Sequence, residues 1–140
     1  MDKWASYDEA LRRFLRFLDE RRPSNPIVLT GDIHSNWVCD LLSDFRRPEE
    51  ARIVGTEFVG TSITSGGDGS EAADYAAALG RENPHVKFFN RERGYVSCEA
   101  TADEWRADYR IVPYVSRPGA PVETRASFVV EQGRPGAQRL

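Results

Sequence analysis

Apolar positions recur along this chain in two rhythms, and each rhythm predicts its own kind of element. Leu11, Phe14, Leu15 and Leu18 stand at i, i+3, i+4 and i+7, which puts them on one stripe of a helix. Arg12, Arg13, Arg16 and Glu20 fill the other face, with Asp8–Arg12 and Arg16–Glu20 spaced for pairing one turn apart. Ser6-Tyr7-Asp8-Glu9 is a capping-box pattern ahead of the stripe, and Pro23 and Pro26 end it. Ile27–Thr30 then reads as a short buried strand in the interior of a sheet, and Trp37–Leu42 resumes the apolar sequence after a loop over Gly31–Asn36. Arg52–Thr64 is rich in β-branched residues and predicts a further strand closing in Ser65-Gly-Gly-Asp-Gly69. Asp68-Gly-Ser-Glu71 offers a second capping box before a short helix over Ala72–Leu79 that Gly80 ends.

The last third alternates with a period of two. Val86–Phe89 and Tyr95–Cys98 flank Asn90-Arg-Glu-Arg-Gly94, a predicted hairpin whose loop uses Gly94 for a positive φ. Trp105, Tyr109 and Ile111 oppose Arg106, Asp108 and Arg110, the pattern of a half-buried antiparallel strand over Trp105–Val115. Ala126, Phe128 and Val130 repeat it over Thr124–Glu131, and Pro118-Gly-Ala-Pro121 joins the two. Residues after Gln132 have nothing to bury, so the expected organisation is a single domain over 1–132 with a flexible tail over 133–140. The expected fold class is α/β, with antiparallel strands dominating the C-terminal third.

A length of 140 residues, 40% of them hydrophobic, suits one domain with a modest core. A formal charge of −3 gives no support for nucleic-acid binding by phosphate neutralisation. No apolar run approaches the roughly 20 residues that span a bilayer, and the polar N-terminus lacks the apolar core of a secretory signal. Cys39 and Cys98 form no CxxC pair and are expected as two buried thiols, which leaves the compartment open.

The candidate chemistry lies where the first strand stops. Asp32 and His34 follow Ile27–Thr30 two residues apart, in a loop that Gly31 lets turn sharply. Carboxylate and imidazole are metal donors, but an ion takes about four to six ligands, so the pair alone leaves two readings open. It is either half of a coordination sphere or a turn-capping Asp beside a His bonded to a carbonyl. Glu57 is read as a group that orients a ligand or as a carboxylate bonded to backbone amides. The Ser62–Asp68 loop suits phosphate cradling in principle, but it lacks a following Lys-Ser/Thr and is equally a turn into the next helix. Trp4 and Tyr7 either border an entrance or pack on the first helix, and His85, Arg91 and Arg93 are expected on the surface of the hairpin.

Two metallophosphoesterase patterns can be laid on this segment. The D-x-H-(G/S)-N opening of calcineurin-like enzymes requires a later G-N-H-(D/E) motif, and the only other histidine, His85, sits in Asn-Pro-His. A second pattern runs the length of the chain. Asp2-Lys-Trp4 with Tyr7, Val28-Leu-Thr-Gly-Asp-Ile-His-Ser-Asn-Trp37, Glu57-Phe-Val-Gly-Thr-Ser-Ile-Thr-Ser-Gly-Gly67, Asn83-Pro-His-Val-Lys-Phe-Phe-Asn90, Arg93-Gly-Tyr95, Trp105-Arg-Ala-Asp-Tyr109 and Thr124-Arg-Ala-Ser-Phe128 follow in order. Together they resemble the C-terminal part of the PhoD-like (alkaline phosphatase D) family.

That resemblance implies part of a metallophosphatase-type β-sandwich flanked by helices. It implies a phosphatase or phosphodiesterase acting on a phosphate-ester substrate with iron and calcium ions. Such ions neutralise phosphate oxygens and lower the pKa of a bound water. By motif position Asp32 would be a metal ligand. His34 would face the second metal and the phosphate, as a ligand, as a catalytic donor to a phosphate oxygen, or as a group fixing the loop. The family's other ligands lie in a long region before this segment, so the resemblance implies a chain incomplete alone, completed by a missing N-terminal half or by self-association. Family members are often exported. The competing expectation is a non-enzymatic truncated remnant or interaction module that needs a partner chain.

Overall fold

The computed structural model of the protein describes residues 6–140; Asp2 and Trp4 lie outside the described residues. Helix α1 (Asp8–Arg21) forms on the expected stripe and packs against strand β3, burying Leu15 and Leu18. It begins one residue later than the capping box predicts: Tyr7 is the N-cap and no side chain caps the helix. Its end is set by Arg22 in the left-handed conformation, whose N–H reaches the Leu18 carbonyl before Pro23.

Two four-stranded sheets follow. The first contains β1 (Ile27–Thr30), β2 (Asn36–Leu42), β3 (Ile53–Val59) and β4 (Val86–Asn90) in the order β1-β3-β2-β4. β1 runs parallel to β3, and β2 runs antiparallel to both β3 and β4. The second is a meander of β5 (Arg93–Ala100), β6 (Glu104–Val112), β7 (Glu123–Glu131) and β8 (Gln138–Arg139), antiparallel throughout. Helix α2 (Ala73–Glu82) continues past Gly80 and packs against β4.

Period-two alternation on β4 ties these layers together. Phe88 points into the sandwich, with its ring centroid 5.0 Å from Tyr109 and 5.7 Å from Phe128. Its neighbour Phe89 points outward, meeting Trp37 at 4.4 Å and Tyr75 of α2 at 5.1 Å. Val38, Phe58, Ala107, Tyr109, Phe128 and Val130 fill the inter-sheet core. Burying each large member contributes about 1.5–3 kcal/mol. Tyr109 also donates its hydroxyl to the Trp37 carbonyl at 2.5 Å, so the core carries one satisfied polar bridge between the sheets.

Five expectations change. Cys98, expected as a buried thiol, is exposed because it lies on β5, which is an edge strand of its sheet. β1 is an edge strand, and Leu29 on it is 59% exposed. β4 and β5 do not form a hairpin: they belong to different sheets, and residues 91–92 carry the chain from one to the other. Asp68 does not cap α2; its carboxylate accepts bonds from the Val115 and Ser116 N–H groups and the Ser116 hydroxyl, strapping two loops together. The segment expected as a flexible tail over 133–140 has a place in the fold. Ala137 is buried and donates its N–H to Asp40 at 2.9 Å, and β8 pairs with β7. Asp40, itself 2% exposed, is also 3.1 Å from the Lys87 ammonium, so the tail supplies a donor that a buried carboxylate requires.

Candidate functional site

The topology gathers the chemistry at one rim. Because β1, β3 and β4 run the same way, the loops after all three emerge at the same end, where antiparallel β2 begins. Residues 31–35 join β1 to β2, residues 60–72 join β3 to α2, and residues 91–92 lead into β5. The Gly60 N–H donates to the Thr30 carbonyl at 3.0 Å, so the first two loops leave the sheet side by side.

Asp32 and His34 are both exposed in the first loop. Both have left-handed backbones, with φ of +69° and +55°. Non-glycine residues there cost about 1–3 kcal/mol each and persist only where surrounding structure fixes them. Strand alternation therefore does not set their directions; two consecutive bends do. Neither side chain has a hydrogen bond or ion pair with another described residue. His34 lies beside the glycine-rich loop, since a Cβ built on Gly66 would stand 3.8 Å from its Nδ1.

Beneath the two loops runs a buried polar network. Asn36, 1% exposed, accepts the Thr61 N–H at 3.1 Å and donates to Asn90 Oδ1 at 2.7 Å. Asn90 donates to Glu92 at 2.7 Å, and Arg125 of β7 holds both Glu92 oxygens at 2.7 Å. That two-pronged pairing raises the Arg125 pKa above its ordinary value. Arg93, 3% exposed, donates to Ser62 Oγ and the Ser65 carbonyl at 2.7 Å, to the His34 carbonyl at 3.0 Å, and to the Arg91 carbonyl. Burial pushes its pKa below the usual guanidinium range.

Other candidates fall away from the rim chemistry. Glu57 accepts the Thr30 hydroxyl at 3.1 Å and faces Cys39, whose thiol is pushed up to about 12 by burial and by Glu57 and Asp40. His85 stacks edge-on with Phe45 at 5.2 Å, and burial lowers its pKa. Arg91 lies 5.5 Å over the Tyr75 ring. Arg93 is the residue the sequence reading misplaced, because the hairpin that would expose it does not form. Asp32 and His34 line neither of two clefts in the fold: one of about 300 Å³ lies between α2 and β4 and reaches Asn90 and Arg125, the other beside the C-terminal end of α1.

Comparison with known proteins decides the family. A model of the PhoD-like phosphatases matches residues 1–109. The chain belongs to the PhoD-like phosphatase family. It is 44% identical over 140 residues to alkaline phosphatase D of Bacillus subtilis (strain 168), covering all of this chain and 24% of that protein. A solved structure described as "Structure of PhoD" superposes with a TM-score of 0.89 at 43% identity, covering 99% of this chain and 26% of that one. This PhoD-like chain thus spans about a quarter of the length of the relatives it matches. The likeness bears out the α/β reading and the antiparallel C-terminal sheet. Among the described residues, however, no three His, Cys, Asp or Glu side chains are placed to hold a metal ion. Asp32 and His34 carry groups of metal-donor type, but two such groups are fewer than an ion takes.

Proposed function

We propose that this chain is the C-terminal part of a metal-dependent phosphoric-ester hydrolase, a phosphatase or phosphodiesterase. Asp32 and His34 are its contribution to the metal and phosphate site. Iron and calcium are the ions the family resemblance implies, and the remaining donors come from a polypeptide region beyond this segment. The observation that carries the reading is the match along the entire chain to a protein named alkaline phosphatase D. The strained, exposed backbone at Asp32 and His34 supports it, since unrelieved strain of this kind clusters at functional sites. Asp32 presents carboxylate oxygens suited to a hard cation. His34 presents a ring nitrogen to the metal or to a phosphate oxygen.

The test is a complementation assay. The chain is supplied with iron and calcium and assayed against a phosphodiester, alone and together with the preceding region of the Bacillus subtilis enzyme. Turnover is expected only in the mixture and is abolished by Asp32→Ala. Turnover by the chain alone would refute the incomplete site, and full activity with Asp32→Ala would refute its assignment. The second reading, a non-enzymatic remnant or interaction module, is favoured by the lack of a third ligand among the described residues and by the open edge of β1 there. It predicts association with that region and no turnover.

A further inference from the structure

We propose that Arg93 is the positioning residue of this rim: its buried guanidinium joins the loop carrying His34 to the glycine-rich loop after β3 and holds His34 in its left-handed conformation. The geometry stands by itself; the functional consequence rests on the reading that His34 faces the phosphate.

The bonds reach four acceptors on three segments of the chain. Nη1 serves Ser62 Oγ and the Ser65 carbonyl, and Nη2 serves the carbonyls of His34 and Arg91. Ser62 Oγ in turn donates to the Ser65 carbonyl at 2.6 Å, closing the glycine-rich loop on itself. All of these acceptors are neutral, and no described carboxylate lies within ion-pair distance of Arg93. Nε is buried without a partner. A buried cation lacking a counter-charge is a poor way to gain stability, and an apolar side chain of similar volume would serve that purpose better. An apolar side chain cannot, however, fix four acceptors at once. A planar fork of donors can, whereas the point charge of lysine cannot span them.

The packing around the fork is equally tight. A Cβ on Gly66 would lie 3.4 Å from Arg93 Nη1 and 3.8 Å from His34 Nδ1, and one on Gly69 would lie 2.9 Å from Nε. Guanidinium, imidazole and glycine loop therefore form one contact layer. The spacing of the two loops, and with it the direction of the imidazole, depends on Arg93.

Nuclear magnetic resonance of the chain tests this directly, because it contains only two histidines and His85 serves as the internal reference. The first readout is the strong intraresidue amide-to-Hα contact of a left-handed residue at His34. It is expected in the unmodified chain and lost in Arg93→Met and Arg93→Lys, with the Tyr109 and His85 signals unchanged. In Arg93→Ala it is expected to return on adding methylguanidinium. The second readout is the shift of the His34 ring signals on titration with inorganic phosphate. Losing one charge-assisted hydrogen bond raises the half-saturating concentration about tenfold in Arg93→Lys. A left-handed His34 that survives Arg93→Met, or an Arg93→Lys chain matching the unmodified one, overturns the proposal. So does global unfolding of both variants, since a positioning residue leaves the sandwich standing. If phosphate moves His34 in no chain while its conformation still follows Arg93, the phosphate-facing role falls and the clamp stands.

Discussion

Asn36→Ala measures how far the rim depends on side-chain hydrogen bonds rather than on strand pairing. Asn36 is 1% exposed and opens β2 directly opposite Asn90 on β4. It makes two well-formed bonds, to the Thr61 N–H at 3.1 Å and to Asn90 Oδ1 at 2.7 Å. A third, to the Glu92 carbonyl at 3.4 Å, is too long to count for much. Truncation leaves the Thr61 N–H without its acceptor and Asn90 Oδ1 with only a long contact from the Glu92 N–H at 3.4 Å. Each orphan costs about 1–3 kcal/mol, with Thr61 at the low end because it is only half buried. The small void adds up to about 1 kcal/mol. The expected loss is therefore roughly 3 kcal/mol, a large part of the 5–15 kcal/mol typical of a domain. The assay is urea unfolding at constant slope, with the midpoint carrying the change. Asn90→Ala removes the same interaction from the other side, so the double variant should lose about 1–2 kcal/mol less than the sum of the singles. A loss below about 1 kcal/mol in Asn36→Ala, or simple additivity, would show that the network is not a unit.

Three further outcomes follow from particular contacts. Gly94→Ala would place a Cβ 2.0 Å from the Arg110 carbonyl oxygen and 2.8 Å from the Ile111 Cα, so β5 and β6 must part; a loss of about 2–4 kcal/mol is expected in thermal unfolding, and an unchanged Tm would refute the contact. The Asp68 carboxyl is held below the usual range by the N–H groups of Val115 and Ser116, so its strap is fully formed above the unfolded value of about 3.9 and is lost as pH falls through the lowered folded value. Amide protection of Val115 and Ser116 should drop over that acid range and lose its pH dependence in Asp68→Asn; protection that rises on acidification would contradict the assignment. With its thiol pushed up to about 12, Cys39 is about one part in ten thousand thiolate near pH 8, so a disulfide reagent should label exposed Cys98 first and Cys39 only on unfolding. Two equally fast thiols would be the contrary result.

Elements whose partners follow from their own periodicity were legible in the sequence. The Leu15 and Leu18 stripe of α1 and the alternation of β6 and β7 came out as read, because a single amphipathic face determines each. The misreadings share a different cause. An apolar run shows that β1 is a strand, but it cannot show whether a neighbour lies on each side, and among the described residues β1 has only β3 beside it. Val86–Phe89 and Tyr95–Cys98 have hairpin spacing, but the segment between them contains Asn90, Glu92 and Arg93, whose bonds run to Asn36, Arg125 and the loops. Asn, Glu and Arg in a short connection look like solvated turn residues, because such residues are mostly exposed. The docked tail was hidden for a related reason: Asp40, a lone carboxylate in an apolar strand, was the available sign that something must satisfy it. Of the candidate site, Asp32 and His34 stand out by motif, whereas Arg93 and Asn36, whose bonds tie the two rim loops, do not.

The distribution of glycine explains why those holding groups matter. Gly66, Gly67 and Gly69 take positive φ in the loop beside His34. Asp32 and His34 also take positive φ, yet carry full side chains. The rim therefore keeps a carboxylate and an imidazole in conformations that glycine would adopt with less strain. A backbone in that condition needs outside restraint, and here the restraint comes from the Arg93 bond to the His34 carbonyl and from Asn36 two residues on. Relaxing either should release the bends before it opens the core, which lies below among Val38, Phe58, Tyr109 and Phe128. At the same rim Leu29, Ile33 and Ile63 are exposed, and among the described residues β1 has a strand on one side only and no third metal-donor side chain joins Asp32 and His34. On the proposed reading, a covering segment and further donors would meet at this one place, so a single region beyond this segment would supply both.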